Sequence, residues 1–305
     1  MLRLSNSGAD KHELCPRLFK YHYIDKIRSK NTTTAILFGS AIDESMDILL
    51  KKRNLAEAKD LFFRMFENTF LKNASNLHIY NKDYDWNTLN DEDISKLNDM
   101  EDSRDKELEY AYRSLRGKGV DFLNKVNEEF LDKIDSVIDS QIEVTINNGK
   151  YTIIGYIDFI LKMKDGSVLL VDLKTSSKSY SDRMLNESHQ LHLYYFCLDL
   201  MKKRGTYTGE LPEKISYLVL RKDYNTKGEM RDIQFKSREP DKDFTLQVIN
   251  RFDILIKDIE SNNFKKTDKK YNCTKQFGKK CEYYELCQQN TPLEDIDHLE
   301  QRENK

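Results

Sequence analysis

The sequence predicts an α/β chain, with one mixed β-sheet flanked by helices in the α+β manner. Helical periodicity dominates to about residue 138, three β-branched runs with turn signals between them follow, and helix-like and strand-like segments then alternate to residue 261. Only four prolines and eleven glycines interrupt a chain that is 33% charged, which favours long solvated helices over a loop-rich all-β chain.

Taken in order, the aromatic and basic stretch Leu14–Tyr23 reads as a short helix after a cap at Ser5 or Ser7. Residues 34–52 place Ile42, Met46, Leu49 and Leu50 on one face of an amphipathic helix, with Asp43 and Asp47 a turn apart on another. A second helix over 55–71 repeats the pattern through Leu55, Ala58, Phe62, Met65 and Phe66. The Asn- and Asp-rich stretch 73–100, which carries Trp86, reads as a loop or loosely packed insertion, and 103–138 as a long helix broken near Gly117-Lys118-Gly119. Strands are expected at 141–146, 151–163 and 167–173, with turns at 147–149 and 164–166, which makes two successive hairpins. A helix over 186–203, strands over 214–222 and 230–236 with a turn near Asn225–Gly228, and a helix over 241–261 complete the pattern. With no internal repeat, a single domain over 1–305 is expected: a helical part at 34–138, a sheet at 141–236, and a C-terminal helix and cysteine segment at 241–290.

At 305 residues and 38% hydrophobic content the chain can bury a substantial core, which excludes global disorder. No apolar run is long enough to cross a bilayer and the first residues lack the apolar core of a signal peptide, so no membrane partner and a cytoplasmic location are expected. The net charge of −2 does not point to nucleic acid, but its distribution permits it. Acids crowd 91–109, whereas 265–280 holds seven lysines against Asp268.

The candidate chemistry lies where two expected strands end in acids, Asp158 on one and Asp172 on the next, with Lys174 two residues on. Pleating puts Asp172 and Lys174 on one face and sends Leu173 into the core. Two carboxylates held together bind a hard cation, Mg²⁺ or Mn²⁺, and the Leu173 carbonyl adds a third oxygen. Such an ion acidifies a water and neutralises a phosphate, while Lys174 orients that water and stabilises developing charge. A bare D-x-K is common on exposed sheets; an apolar strand that delivers its charges at one end is less so. Gln190 and Tyr194, four apart on the expected helix, share a face, which fits an ordinary packed helix equally well.

In these segments the chain resembles the RecB-like branch of the PD-(D/E)XK nuclease superfamily, which includes the cluster-containing CRISPR adaptation nucleases. Gly155-Tyr156-Ile157-Asp158, Val171-Asp172-Leu173-Lys174-Thr175 and Gln190 to Tyr194 match the family's G-x-x-D, D-x-K-T and Q-x-x-x-Y series in order. The resemblance implies a restriction-endonuclease-like core and metal-dependent hydrolysis of DNA, at an end or on a single strand and as an exonuclease rather than an endonuclease, in recombination or repair. It assigns catalysis to Asp158, Asp172 and Lys174, with Gln190 and Tyr194 lining the site. It also implies a helicase, recombinase or adaptation protein as partner. The family places a histidine where this chain has Asp43, a harder metal ligand, with Glu44 and Asp47 as possible substitutes; Glu143 resembles a non-catalytic family acid. That departure keeps open a non-cleaving DNA-binding module with a degenerate centre.

Four of the five cysteines form a one-plus-three set, Cys15 near the start and Cys273, Cys281 and Cys287 near the end; four thiolates suit a [4Fe–4S] cluster or a structural Zn²⁺. The resemblance implies the iron–sulfur cluster, with Cys15 in a Cys-Pro-Arg segment. The seven residues between Cys273 and Cys281, longer than the family's usual two, lean towards zinc or an enlarged loop. A zinc-ribbon adaptor whose acids are merely surface would need only the C-terminal cysteines, and Cys197 reads as a packed helix residue.

Overall fold

A computed structural model describes residues 2–79, 91–98, 100, 102–147, 149–225, 228–274 and 280–302. The chain opens with β1 (Leu2–Leu4), α1 (Asn6–Leu14) and α2 (Pro16–Phe19). The single helix expected over 14–23 is instead broken at Cys15, which is extended at φ −168°. Pro16 causes the break, because its ring pushes the preceding residue out of the helical region. The Ser5 hydroxyl accepts from Gly8 N and caps α1.

After β2 (Ile27–Ser29) and β3 (Thr32–Thr33), α3 (Thr34–Lys52) and α4 (Leu55–Asn73) form a helical hairpin capped by Thr33 and Asn54. The stretch expected as a loop holds β4 (Leu77–His78), paired with β3, and α5 (Asp91–Asn98); Trp86 lies outside the described residues. The next helix, α6 (Ser103–Glu129), starts on an Asp102 cap and runs unbroken through Gly117 and Gly119. Gly119 marks a close approach rather than a break, since a Cβ there would lie 2.0 Å from the Phe62 ring. Gly119→Ala is therefore expected to destabilise by about 1–3 kcal/mol through overpacking. Urea unfolding checks this, and a midpoint equal to wild type would contradict it.

The central sheet follows with β5 (Ile134–Asn147), β6 (Tyr151–Met163) and β7 (Val168–Ser176) as two antiparallel hairpins. Strand β5 begins at Ile134, so the helix expected to residue 138 ends early. Register shifts at Ile134/Ser136 and Val137/Asp139 break the alternation that would have revealed the strand. Then come α7 (Asp182–Asn186), α8 (His189–Lys203), β8 (Lys214–Arg221), β9 (Gln234–Arg238), α9 (Lys242–Glu260), α10 (Lys270–Thr274) and β10 (Leu299–Gln301). Strand β8 joins β7 in parallel, β9 closes that side, and β1 pairs in parallel with the start of β6. The sheet is therefore mixed. Far along the chain, β10 pairs with β2 and ties the C-terminal segment to the start.

Two cores cover the sheet. Phe38, Ile42, Phe62, Phe66 and Phe122 pack with Phe159, Val171 and Leu173 on one face. Leu191, Leu198, Val248 and Phe252 pack with Ile157, Ile160 and Leu170 on the other. Among the described residues, no helix is long and apolar enough to cross a membrane.

Candidate active site

The site forms where β6 and β7 part. Their pairing ends at Phe159↔Val171, so the next residues outward, Asp158 and Asp172, stand opposite each other at the mouth of the fork. Asp158 also sits at a reversal in β6, because Ile157 packs in one core and Phe159, two residues on, in the other. Opposite it in β5, Gln141 takes a left-handed φ of 52°, an unfavourable conformation for a side-chain-bearing residue that accommodates the twist. The reversal brings Asp158 to the seam between layers, where side chains from both can meet it.

Each acid has its own donor. Leu173 N donates to Asp158 Oδ2 at 2.7 Å, while Asp172, only 1% exposed, receives Gln190 Nε2 on Oδ1 at 2.8 Å and lies 2.6 Å from Lys174 Nζ through Oδ2. The Gln190 amide also donates to the Tyr194 hydroxyl at 2.9 Å, and its Oε1 is 3.4 Å from Lys174 Nζ. Tyr194 reaches this place because Gly155 has no side chain; a Cβ there would lie 2.3 Å from the ring. Leu173 is buried in the core as its alternate position requires.

From the other layer α3 contributes Asp43, near enough for Lys174 and Asp172 to act on its charge. Asp47, one turn on, bonds Ser140 and pairs with Lys51 instead, and Glu44 is exposed. Glu143 lies outside the site, bonded to Tyr156 and Arg3.

Three acids against one ammonium leave surplus negative charge in a buried place. Burial, then Asp172, pushes the Asp158 carboxyl up to about 8; burial, opposed by Lys174, brings Asp43 up to about 6, and Asp172 is raised by burial too. The folded chain thus keeps protons that the unfolded chain sheds above its ordinary carboxylate range of about 4. This contribution is complete below about pH 4 and is lost as pH rises through about 6 and 8. His12 and His22, both lowered by burial, work in the opposite sense below their ordinary range. In a chelator, wild-type stability is accordingly expected to fall from pH 6.5 to 8.5, by at most about 1.4 kcal/mol per pH unit per proton and read as a falling Tm, with a flatter profile for Asp158→Asn. Parallel profiles for the two proteins would contradict this.

A surplus of buried carboxylate oxygens beside the Leu173 carbonyl is the donor set that a hard divalent cation takes. Asp43, Asp158 and Asp172 do not bring three oxygens within 4.8 Å of one another, Asp158 and Asp172 each having turned to its own donor. Among the described residues the exposed set Asp10, Glu13 and His189 does meet that distance. Arg251 already bridges Asp10 and Glu13 there, which makes that set an ion-pair network.

Cys15, Cys273, Cys281 and Cys287 line one recess, with Arg17 and Tyr283 in its wall. Cys281 N donates to Cys273 O at 2.9 Å, and Gln288 Nε2 lies 3.6 Å from Cys273 Sγ. Burial pushes the Cys281 thiol up to about 11, with Glu282, Cys15 and Cys273 adding to it. Four thiols on one recess are the donor set that a four-iron cluster or a structural zinc takes. Cys197 is fully buried in α8, as expected of a packing residue.

Sequence reading missed Tyr217 and Ser188. Tyr217 faces Asp172 across the β7–β8 pairing, and its hydroxyl shares a 2.7 Å hydrogen bond with the Ser188 Oγ that caps α8. This bond fixes the start of the helix that carries Gln190. The only signal in sequence was a tyrosine inside an apolar strand and a serine, Ser188, at the start of an expected helix.

Comparison with known proteins follows the same lines. No curated protein matches the chain. A candidate exonuclease of Eubacterium rectale superposes over 95% of this chain and 89% of its own, with TM-score 0.50 at 9% identity, a likeness of fold. A crystal structure of SSO0001 matches at 18% identity and TM-score 0.26; the match covers 39% of this chain and about half, 49%, of that one, and carries no argument. A family model described as the PD-(D/E)XK nuclease superfamily matches residues 3–288, and the chain belongs to that superfamily.

Proposed function

We propose that this chain is a metal-dependent DNA nuclease that hydrolyses phosphodiester bonds from strand ends, with residues 1–305 as one nuclease domain. The observation that carries the proposal is the facing of Asp158 and Asp172 at the mouth of the β6–β7 fork, with Lys174 on the same strand. Asp158, Asp172 and the Leu173 carbonyl would hold Mg²⁺ or Mn²⁺, with Asp43 as a further ligand. When bound, the ion supplies a more acidic water and charge neutralisation at the phosphate. Lys174 presents its ammonium to the attacking water and to the charge that develops on the phosphate. Gln190 keeps Asp172 and Lys174 in register, and Tyr194 braces Gln190.

Cys15, Cys273, Cys281 and Cys287 are proposed to hold a structural [4Fe–4S] cluster rather than Zn²⁺, tying the first helices to the C-terminal segment. By resemblance, the work belongs to recombination or repair, beside a helicase, recombinase or adaptation protein. Asp43 at the family's histidine position favours a second reading, a DNA-binding module that does not cut.

End-labelled linear and circular DNA, single- and double-stranded, incubated with Mg²⁺ or Mn²⁺ or with chelator, separates the two readings. Metal-dependent loss of linear but not circular substrate is expected. Binding without cleavage under every metal would favour the module.

A further inference from the structure

We infer that Tyr156, steadied by Glu143 and Arg3, is a stacking platform for an unpaired base beside the candidate catalytic acids. The inference rests on the nuclease reading and narrows its substrate to single strands or frayed ends.

The placement comes first. Tyr156 lies two residues before Asp158 on β6, on the face opposite Ile157 and the Tyr194 ring, and so away from the helix that covers that core. On its free edge, β6 pairs with β1 only to Ile153 and with β7 only from Phe159, which leaves the stretch containing Tyr156 open beside the fork. Tyr156 is 49% exposed; of the other large exposed apolar residues described, only Tyr271 is aromatic, and it lies on α10, outside the sheet. An aromatic held in water beside a phosphodiesterase centre offers a π face that any base can use.

The second feature is preorganisation. The Tyr156 hydroxyl donates to Glu143 Oε2 at 2.9 Å, and Glu143 is its partner across the β5–β6 register. Arg3, on β1, reaches the same carboxylate at 3.3 Å and the hydroxyl at 3.4 Å. Holding the ring by its polar end leaves the face free and removes most of the rotamer entropy that stacking would cost. Arg3, 58% exposed, offsets the Glu143 charge and presents guanidinium surface to the phosphate of a stacked nucleotide.

The chemistry also selects the kind of substrate. Within a duplex both faces of a base are covered by its neighbours, so only an unpaired or terminal base can lie on Tyr156. Phosphate contacts alone would not discriminate.

The test uses the full chain carrying Lys174→Ala, so that DNA stays intact, and short single strands with 2-aminopurine as the stacking reporter. Tyr156→Ala, Tyr156→Phe and Tyr156→Trp are compared with the tyrosine chain, and their thermal melts report folding. Quenching is expected with Tyr, Phe and Trp but not with Ala, and Ala should weaken single-strand binding about tenfold while leaving binding to covalently closed circular duplex unchanged. Three results would overturn the inference: an Ala variant that quenches and binds like its parent, equal losses on single strand and duplex, or no single-strand binding by any of the proteins. Cleavage by the chain with Lys174 intact is scored separately. Lys174-dependent cleavage with normal binding by Tyr156→Ala would sink the platform and leave the nuclease reading standing.

Discussion

Lys174→Ala is expected to lower the rate of DNA cleavage about 10²–10³-fold, the usual loss when one preorganised charge is removed from a transition state. Asp172→Asn and Asp158→Asn should cost at least as much, since each removes part of the proposed cation's donor set. The loss should fall on kcat more than on KM, because the ammonium, 2.6 Å from Asp172, acts on charge that develops during reaction. Stability should move the other way for Asp158→Asn. Burial and the facing Asp172 already hold Asp158 near a protonated state, so a neutral amide relieves repulsion and Tm in a chelator should rise at pH 8. Steady-state rates on end-labelled DNA and melting curves on the same preparations check both. Cleavage that survives Lys174→Ala and Asp172→Asn would remove the mechanism.

The second large effect belongs to the cysteines. Cys281→Ser is expected to abolish the visible absorbance of anaerobically purified protein and to lower Tm by roughly 10 °C. A structural metal centre supplies several kcal/mol of folding energy, and about 2–4 °C per kcal/mol applies to a chain of this size. The cost should be felt beyond the recess. Arg17 beside it bonds Phe264 O at 2.8 Å, β2 pairs with β10, and β1 leads from the same N-terminal segment into the central sheet. Iron and sulfide analysis together with absorbance checks this; stoichiometric zinc without colour would replace the cluster by a zinc site, and no metal at all would leave four free thiols.

Much of this was legible in the sequence wherever a residue's neighbours along the chain decide its fate. Asp172, Leu173 and Lys174 alternate on one strand, so pleating alone separated a core leucine from two site residues. Gln190 and Tyr194 share a helical face for an equally local reason. The one-plus-three cysteine grouping spans more than two hundred and fifty residues, and the four cysteines line one recess. What could not be read depends on the third dimension or on broken periodicity. The start of β5 was hidden because two register shifts spoil its alternation. Gly119 looked like a helix break because the Phe62 ring that needs its space lies on another helix. Pro16 did carry a legible signal, since a proline ends the helix before it, yet the aromatic run after it suggested continuity. The partnership of Tyr217 with Ser188 joins a strand to a helix cap, and no spacing rule announces it.

The central claim is that Asp158 and Asp172 share a divalent cation at the mouth of the β6–β7 fork. Crystals grown with Mn²⁺, read by anomalous diffraction, test it most directly. The account predicts a peak bound by these two carboxylates and the Leu173 carbonyl, absent from Asp172→Asn crystals. A peak held instead at Asp10, Glu13 and His189, with none between residues 158 and 172, would contradict it.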